Sequence, residues 1–368
     1  MSFYVKATLI YFFCYFYIRL WICRMLSEKP KTKRGILILT DVMTVSLPLT
    51  IFFKADIPYA TKLFLQGTGY TWAAIIACMV PLGLCIEPIR FGMKLMAPDF
   101  IIPKVKIFAG LCLLSALMAI GGYINATSPV IRELEFDLRS SNATAGTEYD
   151  IAAITDLHAG KLMSRVRVGK IVTSINQMTP DIILLVGDIL DDRDAELSGA
   201  VDELARLKAP LGKYAVLGNH EYYLGDKWAK KILEEQGITV LSDEAESVDG
   251  KFLLVGRNDF SATMRNSTRK LLIEIVPDNN DLPIVVLDHT PRKLEEADKD
   301  GVALQISGHT HNGQLFPFNF IIDEIYEKGW GPFQKGKTWY YISCGVGFWG
   351  PPMRTNSRPE ILLIHIKI

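Results

Sequence analysis

Hydrophobic positions along this chain follow two patterns, and the change between them falls near residue 126. Before it, four runs almost free of charge cover residues 3–23, 36–53, 72–86 and 107–123. A bilayer-spanning helix needs about 20 mostly apolar residues, so the four runs predict an all-α bundle of four transmembrane helices. The third run is the shortest and contains Pro81. A buried helical core in a soluble domain fits poorly, because so many apolar runs leave almost no polar surface to face water. Arg19 and Arg24 stand where a cleavage site would follow the first run, which argues against a signal peptide.

After residue 126 the runs shorten and alternate with amphipathic stretches. "VIRELEFDL" alternates apolar and charged residues over 130–138 and predicts an edge strand, and "SSNATAGTEYD" is a small, polar surface loop. Residues 127–148 are therefore read as a connecting strand and linker between a membrane domain, 1–126, and a globular domain, 149–368. Within the latter, "DIAAIT", "DIILLV" and "KYAVLG" predict strands, while "RVGKIVTSINQM", "AVDELARLK" and "KWAKKILEEQG" have helical spacing, the last closed by Gly237. Strand and helix in alternation predict an α/β sheet covered on both faces. Beyond about residue 238, "GITVLSDEAESV", "KFLLVG", "PIVVLDH", "ALQISGH", "TWYYISCG" and "ILLIHIKI" are mostly strands. That mixture predicts two sheets packed face to face with helices outside.

Composition sharpens the division. Hydrophobic residues make up 49% of the 368, concentrated in the first part. Up to residue 130 there are 13 Lys and Arg against 5 Asp and Glu, and after it 27 against 35, so a net zero hides parts of +8 and −8. The loops after the first run and before the fourth carry nine basic residues, against Lys54 and Lys62 in the loop between the second and third. Basic loops stay in the cytoplasm, which places both chain ends, and the globular domain, on the extracytoplasmic side. Arg19 and Asp41, ionisable groups within the apolar runs, are read as a helix–helix ion pair or as snorkelling to the interface in preference to a ligand path. Cys344 is alone in the globular part, so no disulfide framework forms there. That part is acidic and lacks a Lys/Arg run, so no nucleic acid is expected as a partner.

Chemistry concentrates where the predicted strands end. "IAAIT" runs into Asp156 and His158, "DIILLV" into Gly187 and Asp188, "YAVL" into Gly218, Asn219, His220 and Glu221, "PIVVLD" into His289, and "LQIS" into Gly308, His309, Thr310 and His311. Ligands of open α/β sheets bind at that edge, where loops project from a rigid scaffold. Five of the six histidines are used this way, leaving His365 in the last strand. Carboxylate, carboxamide and imidazole donors together suit divalent Mn, Fe or Zn, and not an all-oxygen calcium site. Asp156, His158, Asp188, Asn219, His289, His309 and His311 are enough for two ions sharing a carboxylate, with His220 left over. Two ions about 3.5–4 Å apart can clamp a phosphate and acidify a bridging water for in-line attack, and a free imidazole can protonate the leaving oxygen. If a strand ends at Ser307, extended alternation sends His309 and His311 to the same side.

This ordered set, Asp156-x-His158, Gly187-Asp188-x-x-Asp191, Gly218-Asn219-His220-Glu221, His289 and Gly308-His309-Thr310-His311, resembles the calcineurin-like metallophosphoesterase superfamily over about residues 149–368. "GNHEYY", "GHTHNGQ" and "CGVGFWGPPMRTNSRPEI" resemble its membrane-attached branch, the YkuE/YaeI-type bacterial phosphoesterases and the transmembrane proteins with a metallophosphoesterase domain. The resemblance implies a four-layer α/β/β/α sandwich and a dinuclear phosphohydrolase acting through a metal-bridging hydroxide. It implies Asp156, His158 and His311 on the first ion, Asn219, His289 and His309 on the second, Asp188 between them, and His220 as the catalytic histidine. Glu221 stands where many relatives have Asp, and Asn312 where many have Gly, departures that bear on substrate choice. Arg257, Asp259 and Arg354 are candidate contacts to a phosphate or head group. A membrane-held domain makes a phospholipid or other lipid-linked phosphoester or pyrophosphate the expected substrate. The competing readings are a cytoplasm-facing pyrophosphatase of the UDP-diacylglucosamine type and a non-enzymatic metal-binding membrane protein.

Overall fold

The computed structural model describes residues 3–53, 57–139, 146–193, 196, 198–265 and 267–368, so part of the polar connection, residues 140–145, lies outside them. The chain divides into two compact units, 1–124 with 350–353, and 125–349 with 354–368.

The first unit holds helices α1 (Phe3–Met25), α2 (Pro30–Phe52), α3 (Tyr59–Met96) and α4 (Lys104–Ala126), all long and apolar enough to cross a membrane. The third predicted span is the one that differs. It is the longest helix, 38 residues with Pro81 and Pro88 inside it. Its early turns carry Gln, Thr and Gly and do not register as an apolar run, but they pack: Gly69 lies where a Cβ would be 2.6 Å from Leu47 Cβ of α2. Some polar groups of the bundle find partners across helices, which offsets the cost of desolvation. Arg19 Nε lies 3.2 Å from Asp41 Oδ1, the expected helix–helix ion pair, and Tyr15 also donates to that oxygen at 2.5 Å. Trp72 Nε1 donates to Thr44 Oγ1 at 2.8 Å. Outward positions such as Phe13, Leu39, Phe64 and Leu113 are exposed apolar residues, the surface expected to meet lipid.

In the second unit, the described residues form two six-stranded sheets. The first has the order β1 (Val130–Asp137), β12 (Glu360–Lys367), β2 (Glu148–Ile154), β3 (Ile182–Val186), β4 (Lys213–Val216) and β5 (Thr239–Val240). The second has the order β10 (Gly331–Lys335), β11 (Thr338–Ile342), β9 (Leu304–Ser307), β8 (Ile284–Leu287), β7 (Phe252–Gly256) and β6 (Glu244–Val248). Strands β2 to β5 run parallel, as do β7, β8, β9 and β11. β1 is an edge strand, pairing with the last strand β12 from Val130 to Asp137. The segment preceding the linker is thus part of the sheet.

Strand period explains the layers. In β3, Ile183 and Leu185 point toward Val168, Ile171, Val172 and Ile175 of helix α5 (Arg165–Gln177), while Ile182, Leu184 and Val186 point toward Leu254, Val285 and Ile306 of the other sheet. Beyond that sheet, Leu253, Val286 and Tyr340 pack with Ala297 of helix α8 (Glu295–Lys299). Helix, sheet, sheet, helix is the four-layer α/β/β/α sandwich. Complete burial of each face of a strand reading "IILLV" contributes on the order of 2 kcal/mol per side chain. Shorter helices α6 (Asn219–Leu224), α7 (Asp226–Glu235) and α9 (Asn319–Ile325) complete the unit. "AVDELARLK" is not an α-helix: a 3-10 turn forms at Asp202–Arg206, where Glu203 is paired with Arg165 and Arg206.

Candidate dinuclear metal centre

Because the strands concerned run parallel within their sheets, their carboxyl ends share an edge, and each end delivers the expected residues. Asp156 and His158 follow β2, Asp188 and Asp191 follow β3, and Asn219 opens α6 just beyond β4. His289 follows β8, and His309 and His311 follow β9. The backbone there is not extended. Asp156, His158, Asp188, His309 and His311 all have positive φ, at 52°, 51°, 49°, 71° and 48°. Left-handed conformations at non-glycine residues cost about 1–3 kcal/mol each and persist where the surroundings impose them. They overturn the expectation that strand alternation aligns His309 with His311: β9 stops at Ser307, and the two side chains enter different clusters.

Among the described residues, donor atoms within 4.8 Å of one another form three groups: Asp156, His158 and His311; Asp188, His289 and His309; and His158, Asp191 and His220. His158 Nε2 and His311 Nε2 are 3.1 Å apart, and His311 Nε2 is 3.4 Å from Asp156 Oδ1. Two nitrogens bound at about 2.1 Å on adjacent corners of one ion would be separated by about 3 Å. Asp188 Oδ2 lies 3.3 Å from His289 Nε2 and 4.0 Å from His158 Nε2, between the two groups. Asn219 Oδ1 is 2.7 Å from His309 Nδ1, so the carboxamide joins the second group. His289 Nδ1 donates to Val186 O at 2.9 Å, which points Nε2 into the cluster, where it faces Asp188 Oδ2 at 3.3 Å without a well-formed hydrogen bond among the described residues. A metal-ligating histidine has this arrangement. The donor set and the orphaned nitrogen both fit divalent transition ions.

Supporting residues outside the expected set hold this geometry. Asp191 Oδ1 lies 3.4 Å from both His158 Nδ1 and His220 Nδ1. The fully buried Glu221 carboxylate accepts from Asp188 N (3.0 Å), Gly218 N (2.7 Å) and Leu190 N (2.7 Å), tying two ligand loops together. In the sequence Asp191 has only its place in a motif and Glu221 is read as bearing on substrate choice, whereas in the fold Glu221 holds the backbone of both loops. The regular spacing of "GDILD" and "GNHE" was the only available signal. Two motif glycines are required by close approach: at Gly187, whose φ is +77°, a Cβ would collide with His289, and at Gly308 with Asp156.

Charge is unevenly placed. Burial opposes ionisation of Asp188, yet His289 and His220 hold it well below the usual carboxylate range. His289 is raised well above the imidazole range, Asp188 outweighing burial. His220 is raised to about 9, because Asp188 and Asp191 overcome burial. His309 is lowered by burial and then by His289. His311 is lowered strongly by burial and then by Arg354, so its ring stays neutral. His220 remains partly open to solvent, unlike the fully buried His289.

The three candidate substrate contacts are all buried and engaged with protein groups. Arg257 is buried and paired with Asp288 (3.6 Å) and Glu296 (2.9 Å). Asp259 is buried, accepting from Thr290 Oγ1 (2.5 Å) and Ser261 N (2.8 Å). Arg354 is buried completely, donating to Cys344 O, Gly345 O, Gly347 O and Ser357 Oγ, and to His311 Nδ1 at 2.9 Å. It braces His311 and the backbone of residues 344–347. His365 pairs with Asp150 at 2.6 Å, away from the cluster.

A family profile described as calcineurin-like phosphoesterase matches residues 149–313. An Aquifex aeolicus protein named as an uncharacterized metallophosphoesterase is 35% identical over 254 residues, covering 67% of this chain and 96% of its own length. The Bacillus subtilis metallophosphoesterase YkuE is 29% identical, over 68% of this chain and 92% of its own. A Danio rerio transmembrane protein with metallophosphoesterase domain is 29% identical over 69% of this chain, and the match spans 61% of that relative's length.

Proposed function

The chain belongs to the calcineurin-like phosphoesterase family, and on that premise we propose that it is a membrane-anchored, metal-dependent phosphohydrolase. The convergence of seven donor residues from five strand ends, with His220 beside them, carries this reading. Asp156, His158 and His311 would hold one divalent ion, Asn219, His289 and His309 the other, and Asp188 both. The ions, Mn, Fe or Zn by donor chemistry, supply charge that neutralises phosphoryl oxygens and acidifies a water. The remaining work falls to the chain. Asp191 orients the His220 ring through Nδ1, leaving Nε2, 3.9 Å from Asp188 Oδ2, to carry a proton to the leaving oxygen. Glu221 and Gly218 keep Asp188 and Asn219 in register, and Arg354 keeps His311 neutral.

In this proposal residues 1–126 anchor the 149–368 domain through the connecting strand, and the substrate is a phospholipid or a lipid-linked phosphoester or pyrophosphate. The bias of basic loops supports an extracytoplasmic site. An alkaline phosphatase fusion at the carboxyl terminus should be active, and an inactive one overturns that orientation. The central test is a phosphomonoester and phosphodiester panel, with metal content measured, on wild type and Asp188→Asn. Metal-dependent hydrolysis lost together with bound metal is the expected result. Metal binding without turnover on any phosphoester, in a protein whose function survives His220→Ala, would leave a structural metal site.

A further inference from the structure

One segment of the catalytic unit exposes five large apolar side chains and buries only Tyr326 among its own. Residues 311–329 leave the ligand loop at His311 and return to it. Thr310 Oγ1 donates to Gly329 O at 2.6 Å, and the Tyr326 ring packs 5.9 Å from that of His309. Between these anchors lie Phe316, Phe318, Phe320, Ile321 and Ile325, exposed by 60%, 50%, 64%, 54% and 57%. Helix α9 within this stretch has no buried residue. A seven-residue helix gains little from its own hydrogen bonds and ordinarily owes its stability to a buried face. A contiguous apolar patch of this kind marks an interaction surface.

The chain itself indicates what covers it. Helix α4, apolar enough to cross a membrane, ends at Ala126, and β1 begins at Val130. Four residue steps reach at most about 14 Å, so the catalytic unit is held at a lipid surface. Aromatic side chains favour the water–hydrocarbon boundary. Within the segment Asp323, Glu324 and Glu327 outnumber Lys328, Lys335 is paired with Glu327 at 2.7 Å, and Arg292 lies over the Tyr326 ring, so no basic cluster is presented to anionic head groups. We propose that residues 316–325 form a membrane-contact surface that enters the interfacial layer of a zwitterionic bilayer through Phe316, Phe318, Phe320, Ile321 and Ile325. Joined at both ends to the ligand loop, the surface sets the metal cluster beside phosphates carried at the lipid boundary. What it presents to the site rests on the phosphohydrolase reading; its contact with lipid does not.

The test uses the full chain in phosphatidylcholine vesicles with a photoreactive residue, Phe318→p-benzoylphenylalanine or Phe320→p-benzoylphenylalanine. Val166→p-benzoylphenylalanine, at a lone exposed apolar position on α5, is the control. Lipid adducts at 318 and 320 should exceed those at 166 at least about fivefold. Equal yields, or cross-links to a second copy of the chain in place of lipid, overturn the proposal. The triple variant Phe316→Ser, Phe320→Ser, Ile321→Ser should lose about tenfold in hydrolysis of vesicle-borne phosphoester while keeping its rate on p-nitrophenyl phosphate in detergent. Parallel loss on both substrates overturns it as well. A wild type that hydrolyses neither substrate fails the phosphohydrolase reading alone, since the lipid adducts report contact without turnover.

Discussion

Replacing Glu221 with Ala removes the one acceptor shared by three buried backbone donors, Asp188 N, Gly218 N and Leu190 N. An orphaned buried donor costs about 1–3 kcal/mol, and relief from burying a carboxylate returns part of the sum, so a net loss of about 3 kcal/mol is expected. In a domain of this size each kcal/mol lowers Tm by about 2–4 °C, which places the expected fall near 10 °C. Burial and then the Asp188 charge push Glu221 up from 4.5 to about 7 in the metal-free protein. A raised folded-state value means the folded chain holds an extra proton between the two values. Its stabilising contribution is therefore present in full below about 4.5 and lost as pH rises through about 7. The Ala variant lacks this contribution, so the gap between it and wild type should be wider near pH 5 than near pH 8, by about 1–3 kcal/mol. Thermal unfolding of both proteins, stripped of metal in the same detergent at the two pH values, measures the double difference. A fall in Tm under about 2 °C, or a gap that narrows toward acid, would refute the assignment of Glu221 as the clasp between the Asp188 and Asn219 loops.

Other substitutions separate the roles further. His220→Ala should keep wild-type metal content and lose at least about a hundredfold in turnover; loss of metal would make it a ligand. Arg354→Ala strands several buried carbonyls and the partner of His311, so unfolding should show a loss of about 3–5 kcal/mol with lower metal stoichiometry. Unchanged values would return Arg354 to candidate substrate contacts. Gly308→Ala drives a methyl group into Asp156, and elemental analysis should find metal depleted even in protein that remains folded. His365→Ala, at a partly exposed pair with Asp150, should cost under about 1 kcal/mol and leave turnover intact.

Much of the fold could be read in the chain because local pattern and burial agree. "DIILLV" is apolar at every position that the two sheet faces bury, and the alternation in "VIRELEFDL" matches an edge strand that is half open to solvent. Legibility failed where packing decided the outcome. The polar early turns of α3 pack Gly69 against Leu47, and "AVDELARLK" yields a 3-10 turn in which Glu203 pairs with Arg165, 38 positions away.

The candidate metal donors were legible for a related reason. Each is placed by its own strand end, so a short motif suffices to mark it. Asp191, Glu221 and Arg354 act on partners distant in sequence, Arg354 on His311 across 43 positions and Glu221 on Asp188 across 33. No local pattern carries such pairings, and the same distance effect made Arg257 and Arg354 look like free cations. The sequence alone determined which donor types meet at one sheet edge, since strand direction and composition are local properties. Only the tertiary structure shows which backbone conformation divides them. The left-handed backbone at His309 and His311 turns neighbouring side chains into separate clusters, and that backbone persists because glycine contacts, the Glu221 clasp and the Arg354 brace oppose its strain from elsewhere in the chain.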